Sequence, residues 1–439
     1  MLAASPAAAG SWSMQAAIDG YLAVTDNVFS APSEPVVEGG GSAEADGYAQ
    51  LRPGLVYSYA APRMVHELAA GLEANAYFTH RDGWGLSGRV GWRAFFQASA
   101  QTEVETGVGA SYGSLSALTA RAPAGTGEVQ LLPGGSVQLT TLDATEAVRH
   151  TVSEELTLSH GGRAQLVDTQ PDPVGDAPAQ PGTRGAEARA TLGLERTWRA
   201  TGLGAEAGVG YASLRSDPGT GPITQDQLEL RATARLRRDL SRDWSGAIYG
   251  GAATLVSADA GGDYLLRPVA GAELTYTDLW GSASLSARRT VAPNLFIAQN
   301  TVSDAVVLSA QLPLPQLSRD RRQPEVALAG SVGYERSALL DLATDDITTS
   351  FDLLSADVAV AWQVQPGLSL ALRYQLAYQQ AREGSDTMGL AALDFTRNTV
   401  LLAFAAQFPE RPAGEIPRRT GRVDRRDVTP VGDEPGARR

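Results

Sequence analysis

The stretch QLELRATARLRR, residues 227–238, places Leu228, Leu230, Ala232, Ala234 and Leu236 on one side of an extended chain. Gln227, Glu229, Arg231, Thr233, Arg235 and Arg237 fall on the other. In a strand successive side chains point to opposite faces, so a period of two sorts this segment into one apolar and one ionic face. Wound as a helix, both sets would scatter around the circumference. LSLALRYQLAYQ, 368–379, sorts the same way: Leu368, Leu370, Leu372, Tyr374, Leu376 and Tyr378 oppose Ser369, Ala371, Arg373, Gln375, Ala377 and Gln379. In WGLSGRVGWRAFF, 84–96, Trp84, Leu86, Val90, Trp92, Ala94 and Phe96 oppose Ser87, Arg89 and Arg93. In RGAEARATLGLE, 184–195, Ala186, Ala188, Ala190, Leu192 and Leu194 oppose Glu187, Arg189, Thr191 and Glu195.

Read this way along its length, the chain predicts about eighteen strands. They span 14–26, 47–60, 63–78, 84–96, 100–118, 134–146, 148–160, 184–196 and 202–215. The remainder span 225–238, 244–256, 264–277, 279–289, 296–312, 324–337, 350–363, 367–380 and 388–408. Most exceed the usual 5–6 residues of globular strands and suit the roughly 9–11 that cross a bilayer at about 45°. A soluble sandwich also alternates, and a β-helix or propeller would carry a fixed repeat, which is absent here.

Three features favour a membrane barrel. The apolar face is Leu, Val, Ala, Tyr and Trp, while Arg and Glu recur opposite, the arrangement of lipid outside and water inside. Aromatic residues gather near strand ends, as an interfacial girdle requires: Trp84, Trp244, Trp280, Trp362, Tyr57, Tyr59, Tyr112, Tyr211 and Tyr334. Long links around 31–46, 119–133, 161–183, 216–224, 257–263, 338–349 and 381–387 alternate with short ones at 61–62, 239–243, 278 and 365–366. Such alternation, with both termini at the short-turn end, requires an even strand number. The segment 313–323 is long where a turn is expected, and 79–83 is short where a loop is expected. The fold class is therefore an all-β transmembrane antiparallel barrel over 14–408. Residues 1–13 form a signal-peptide remnant or disordered N-terminus, and 409–439 form a disordered periplasmic tail.

Composition narrows the function. No run of about 18 or more apolar residues is present to cross a membrane as a helix. There is no cysteine, which excludes disulfides and thiolate metal sites, and all 36 basic residues are arginine. A net charge of −13 argues against nucleic acid as a partner. The start, MLAASPAAAG, ends in the small residues that precede a signal-peptidase cut. His66, His80, His150 and His160 lack metal-ligand spacing, so no metal, cofactor or catalytic set is expected. His80 and Asp82 lie near each other, but spacing identifies no serine partner. The glycines of GVGASYG, 107–113, and GAEAGVG, 204–210, sit inside strands with no following helix, so the phosphate-loop reading fails. The acidic run Glu34, Glu38, Glu44 and Asp46 reads as a solvated external loop.

The inward face carries the functional candidates. Arg89, Arg93, Glu187, Arg189, Glu229, Arg231, Arg235, Arg237 and Arg373 are expected to line the lumen, with Glu67, Glu73, Glu103, Glu105, Glu206, Glu273, Glu325 and Asp357. Buried dry, so many ions would each cost several kcal/mol, so they call for a hydrated interior, which about eighteen strands leave room for. Both signs occur, so no ion preference follows. The arginines of 225–238 suit either solute handling or ion-pair ladders that hold the barrel round.

Two stretches carry resemblances. VLLAFAAQF, 400–408, resembles the closing strand of bacterial outer-membrane barrels, which ends on a lipid-facing aromatic read by the barrel-assembly machinery. On that resemblance Phe408 is the terminal signal residue, with Phe404 on the same stripe. LAVTDNVFSAP, 22–32, holds Thr25, Asp26, Asn27, Val28 and Phe29, a run similar to one in large porin-type barrels of exopolysaccharide export clusters. That likeness implies a Gram-negative outer-membrane exit pore for a polysaccharide, working with a periplasmic export protein. Both termini would be periplasmic, and the tail arginines 418, 419, 422, 425 and 426 would be free to dock on such a partner. A general diffusion porin is the alternative within transport. It would fold a constricting loop into the lumen, and 161–183 has the length for it. A non-conducting structural or adhesive barrel is the alternative outside transport.

Overall fold

The computed structural model describes residues 10–28, 42–80, 84–115, 136–172, 182–217, 223–258, 263–295, 298–317, 325–340, 347–384 and 394–408. The period of two resolves within them into eighteen strands. The first nine are β1 Ser11–Thr25, β2 Asp46–Ala61, β3 Met64–Tyr77, β4 Gly85–Gln97, β5 Thr102–Leu115, β6 Ser136–Thr151, β7 Leu156–Asp172, β8 Gly182–Trp198 and β9 Thr201–Asp217. The second nine are β10 Ile223–Asp239, β11 Trp244–Ser257, β12 Tyr264–Asp278, β13 Gly281–Asn294, β14 Gln299–Pro313, β15 Val326–Leu340, β16 Ile347–Gln365, β17 Leu368–Gly384 and β18 Phe395–Phe408. Each pairs antiparallel with its sequence neighbour, and β1 pairs with both β2 and β18, so the sheet closes into a barrel without a free outer strand. The seam runs from Ala16 opposite Phe408 to Thr25 opposite Thr399.

Register fixes which face is which. Arg189 lies opposite Gly210, and Gly210 opposite Glu229, so the ionic positions of neighbouring strands share one surface. That surface is the inside, because contacts between non-neighbouring strands are made across it, as between Gln227 of β10 and Asn300 of β14. Outside, Val90, Leu192, Leu228, Leu230, Leu372 and Leu402 stand exposed, as only a lipid-facing wall tolerates. Aromatics bound this band twice. Trp12, Trp198, Trp244, Tyr276, Trp280 and Trp362 mark the short-turn end, where Trp244 packs on Tyr276 at 4.9 Å between ring centroids. Trp84, Tyr112, Tyr211 and Tyr264 mark the other. On β12 Tyr264 and Tyr276 are twelve residues apart. At about 3.3 Å per residue and about 45° of tilt that is roughly 28 Å along the normal, close to the ~25 Å apolar band of such barrels.

The alternation of links holds. The short-turn end carries 62–63, 98–101, 152–155, 199–200, 240–243, 279–280 and 366–367, and one long connection, 314–325, which opens with a 3₁₀ turn at Pro315–Leu317. Both barrel ends of the described chain lie at this end.

Two boundaries differ from the sequence reading. The turn expected near 147 lies instead at 152–155, where the Ser153 hydroxyl oxygen accepts from the backbone N–H groups of Glu155 and Leu156. A four-residue turn preserves parity, so Val148 and His150 stay in phase with Leu156 and Leu158 and the alternation hides the reversal. The expected loop 161–183 is largely strand, because β7 continues through Gly161 and Gly162 to Asp172. These glycines interrupt the apolar pattern without breaking the pairing with Ala147 and Glu146. Residues 1–9, Phe29, Asp82 and the tail 409–439 lie outside the described residues.

Candidate functional site: a narrowed, charge-lined lumen

Between β12 and β13 the barrel wall departs from regular pairing. Pairing between β12 and β13 stops at Ala270 opposite Arg289, although β12 begins at Tyr264 and β13 continues to Asn294. Beyond that point the β13–β14 hairpin leaves the wall and leans into the lumen. Val291 and Val302, whose register continues the lipid-facing row, pack with Leu340 against Ala253, Leu255, Leu265 and Val269 of the inner wall. Burial of a side chain of this kind contributes about 1.5–3 kcal/mol, so the apolar cluster is the main force holding the hairpin in.

Polar contacts set its position. Gln227 Nε2 donates to Asn300 Oδ1 at 2.6 Å and Asn300 Nδ2 donates back to Gln227 Oε1 at 2.8 Å. Both side chains are 0% exposed, so neither amide has water as an alternative partner. Arg231 donates to the carbonyl of Val291 at 2.8 Å. At the tip, Leu295 and Ala298 reach Val167 of β7 and Leu214 of β9. Gly185 of β8 makes the seat: a Cβ there would lie 2.7 Å from the Leu295 Cβ. Ala298 has φ +53°, in the left-handed region, which costs an L-residue about 1–2 kcal/mol. The hairpin therefore crosses the bore from β14 to β7–β9. Among the described residues it is the element that narrows the bore; of 161–183, residues 173–181 lie outside them.

The edge it leaves behind is blunted. Ser257 N donates to Asp263 O and Thr277 N to Asp243 O, so odd-numbered residues of β12 bond toward β11. Tyr264, Leu266 and Pro268 then face the side that β13 has left. Pro268 has no N–H to leave unpaired there.

All nine expected lumen residues lie on the inner face, and the structure divides them by task. Glu229, which is buried, takes Arg189 in a short ion pair and Arg231 at 3.3 Å, while Glu187 takes Arg189 at 3.1 Å. Arg373 is ion-paired with Asp357, which also accepts from Gln375 at 3.0 Å. Arg89, Arg93 and Arg235 are exposed within the bore, and Arg237 is half-buried. Arg52, not among the expected set, bonds Glu73 at 2.8 Å on the β2–β3 wall. Gln227 and Asn300 were also not singled out by sequence. Their signal is weak, since an amide pair 73 residues apart leaves no local spacing to read.

The T-D-N-V run joins the first strand to the last. The Asp26 carboxylate accepts from Asn398 N at 2.7 Å and Asn398 Nδ2 at 2.6 Å, and Asn27 Nδ2 donates to Thr396 O at 2.9 Å. Val28 packs inward on Ala23, Tyr48, Tyr77 and Leu401. Thr25, Asp26, Asn27 and Val28 thus latch β1 to β18 above the last strand pair. At the other end of the seam Phe408 is 78% exposed on the lipid face, and Phe404 lies over Gly20, whose added Cβ would come within 2.6 Å of the ring.

Among the histidines, His66 stacks on Trp92 at 5.8 Å in the outer girdle, and His150 bonds Thr102 at 2.9 Å. His80 sits between two carboxylates at the long-link end, Nδ1 2.8 Å from Asp46 and Nε2 2.7 Å from Glu44. Burial works against its charge, but the bonds to Asp46 and Glu44 outweigh it and raise its pKa above the usual histidine value.

No protein-family model and no curated protein matches this chain. Among solved structures, the outer membrane protein OpdK from Pseudomonas aeruginosa is similar at 12% identity and a TM-score of 0.44, over 90% of this chain and 99% of that one. P. aeruginosa OccK2 (OpdF) in complex with glucuronate is similar at 12% identity and 0.45, over 90% and 98%. The siderophore receptor PirA of the same organism is similar at 9% identity and 0.45, over 89% and 80%.

Proposed function

We propose that this protein is a passive outer-membrane channel for small polar and charged solutes, with the β13–β14 hairpin as its constriction. The observation that carries this reading is the hairpin itself, clamped across a bore whose remaining wall presents exposed Arg89, Arg93 and Arg235. Arg231 and Arg189 are engaged by Glu229 and so hold shape. Arg235 is the residue we assign to solute contact, since a guanidinium offers a fixed fork to carboxylates and hydroxyls. Short turns face the periplasm in outer-membrane barrels, which would place both termini of this barrel there.

A diffusion channel accounts for the geometry better than the polysaccharide exit implied by the T-D-N-V-F resemblance. A constriction anchored on strands β7 to β12 is at odds with a wide polymer path, and the residues behind that resemblance are engaged in closing the seam. Conductance of the full chain in planar bilayers tests the proposal. We expect discrete ohmic channels, and a larger unit conductance when residues 295–298 are replaced by glycine. A silent bilayer, or unchanged conductance in that variant, would refute it.

A further inference from the structure

The outer wall changes character where β13 leaves β12, and two features meet there. The first is a row of charge. Arg289 of β13 lies opposite Asp304 of β14, Asp304 opposite Arg336 of β15, and Arg336 opposite Asp352 of β16. The row holds outward positions: Asp304 precedes exposed Val306 by two residues, and Arg336 follows exposed Tyr334 by two. Arg289 lies opposite Ala270, midway between Tyr264 and Tyr276, the belt residues of β12. From there the row climbs, since Arg289 is eight residues from the short-turn end of β13 and Asp352 thirteen from that of β16. With strands about 4.8 Å apart and tilted about 45°, each step adds roughly 3 Å, so Asp304 and Arg336 still lie within the ~25 Å apolar band.

The second feature is the free edge of β12. Above Ala270, in the upper half of that band, the N–H groups of Tyr264 and Leu266 turn toward the strand that has left. Acyl chains offer no partner to an amide or a charge, and ionisable groups inside a bilayer face protein or water and pair with one another. Lipid is the wrong neighbour for this sector. Within the chain, the middle of the row is poorly paired. Asp352 accepts from the Tyr334 hydroxyl at 3.0 Å and is ion-paired with Arg382, which sits at the β16–β17 register shift. Asp304 meets Arg289 only at 3.8 Å, with its side chain 49% exposed. Arg336 is exposed and forms no ion pair among the described residues.

We propose that the β13–β16 sector is the contact between two copies of this chain, related by a two-fold axis along the membrane normal between β14 and β15. Copies in one membrane share their orientation, so a two-fold contact turns about the normal and keeps every residue at its own height. That rotation lays the alternating row against its own complement. Asp304 then faces the partner's Arg336 across the axis, twice over, at a height difference of roughly 3 Å that an arginine side chain spans. Arg289 and Asp352 are three steps apart in height and keep their partners within the chain. The second copy also takes the place of lipid beside the free edge of β12. A ring of three would set the row against a different surface, and its self-complementarity would go unused.

The test is native mass spectrometry of the full chain in neutral detergent, beside the variants D304R and R336D, one of them isotope-labelled. We expect the parent to be a dimer. Each variant should weaken its own dimer at least about tenfold, because like charges meet across the axis. Mixed, the two should form a heterodimer as tight as the parent's, which also shows that both have folded. A monomeric or trimeric parent would overturn the proposal, and needs no variant to fold. Variants that dimerise as well alone as mixed would place the contact elsewhere and overturn it too. Two heat-modifiable, hence folded, variants that fail to pair when mixed would do the same.

Discussion

Replacing Asn300 by alanine is the sharpest probe of the constriction. The change removes the bonds of 2.6 and 2.8 Å and leaves one donor and one acceptor of Gln227 unpaired in a site with no exposure. An orphaned buried polar group costs about 1–3 kcal/mol, so the docked hairpin loses roughly 2–6 kcal/mol. At about 1.4 kcal/mol per decade, even the lower figure raises the undocked fraction about 30-fold. The apolar cluster around Val291 and Val302 and the Arg231 bond to Val291 remain, so docking still prevails on average. Single-channel recording should then show brief steps to a higher conductance that are rare in the parent. The double variant N300L/Q227L removes both polar partners together, which is close to neutral, and should return to quiet traces. The reasoning fails if N300A is as quiet as the parent, or if the double variant is noisier than the single one.

Three further outcomes are expected. Gly185→Ala should unseat Leu295 from β8 and raise unit conductance in bilayers, while the strand remains paired. Arg231→Gln and Arg235→Gln should separate: the second shifts ion selectivity measured by reversal potential, and the first loosens the hairpin and adds noise. The raised pKa of His80 means its clamp on Asp46 and Glu44 is fully present below the unfolded value of about 6.5 and fades as pH rises through the folded value. Protection factors at the Thr79 and His80 amides, which divide out the intrinsic rise of exchange with pH, should fall across that window in the parent and stay flat in His80→Gln.

The strands were legible because lipid and water impose opposite demands on alternate residues, as Leu228 and Glu229 illustrate. The inner face was legible for the same reason, down to Arg189 and Arg373. What each inner charge does was not. Arg231 and Arg235 share a face and a spacing, and the carbonyl of Val291, sixty residues away, together with Glu229, sets the first apart. The inward hairpin was hidden because period reports alternation and not direction. Val291 and Val302 read as lipid-facing, and they do face an apolar surface, the inner wall in place of the bilayer. The turn at 152–155 was hidden by parity, and the T-D-N-V run by distance, since its partners Thr396 and Asn398 lie some 370 residues along the chain.

The seam between β1 and β18 also sets a timetable. Gln15 and its bonded partner Gln407 are 392 residues apart. At synthesis rates of about 5–20 residues per second, the first strand waits roughly 20–80 s before its second neighbour exists. Throughout that interval every partial sheet, however long, ends in two open edges able to pair with other chains. Closure is thus a single late event of very high contact order, and the intermediates before it are the aggregation-prone species. Survival of this protein to its folded state depends less on the depth of its energy minimum than on what escorts its unpaired strands until Phe408 arrives opposite Ala16.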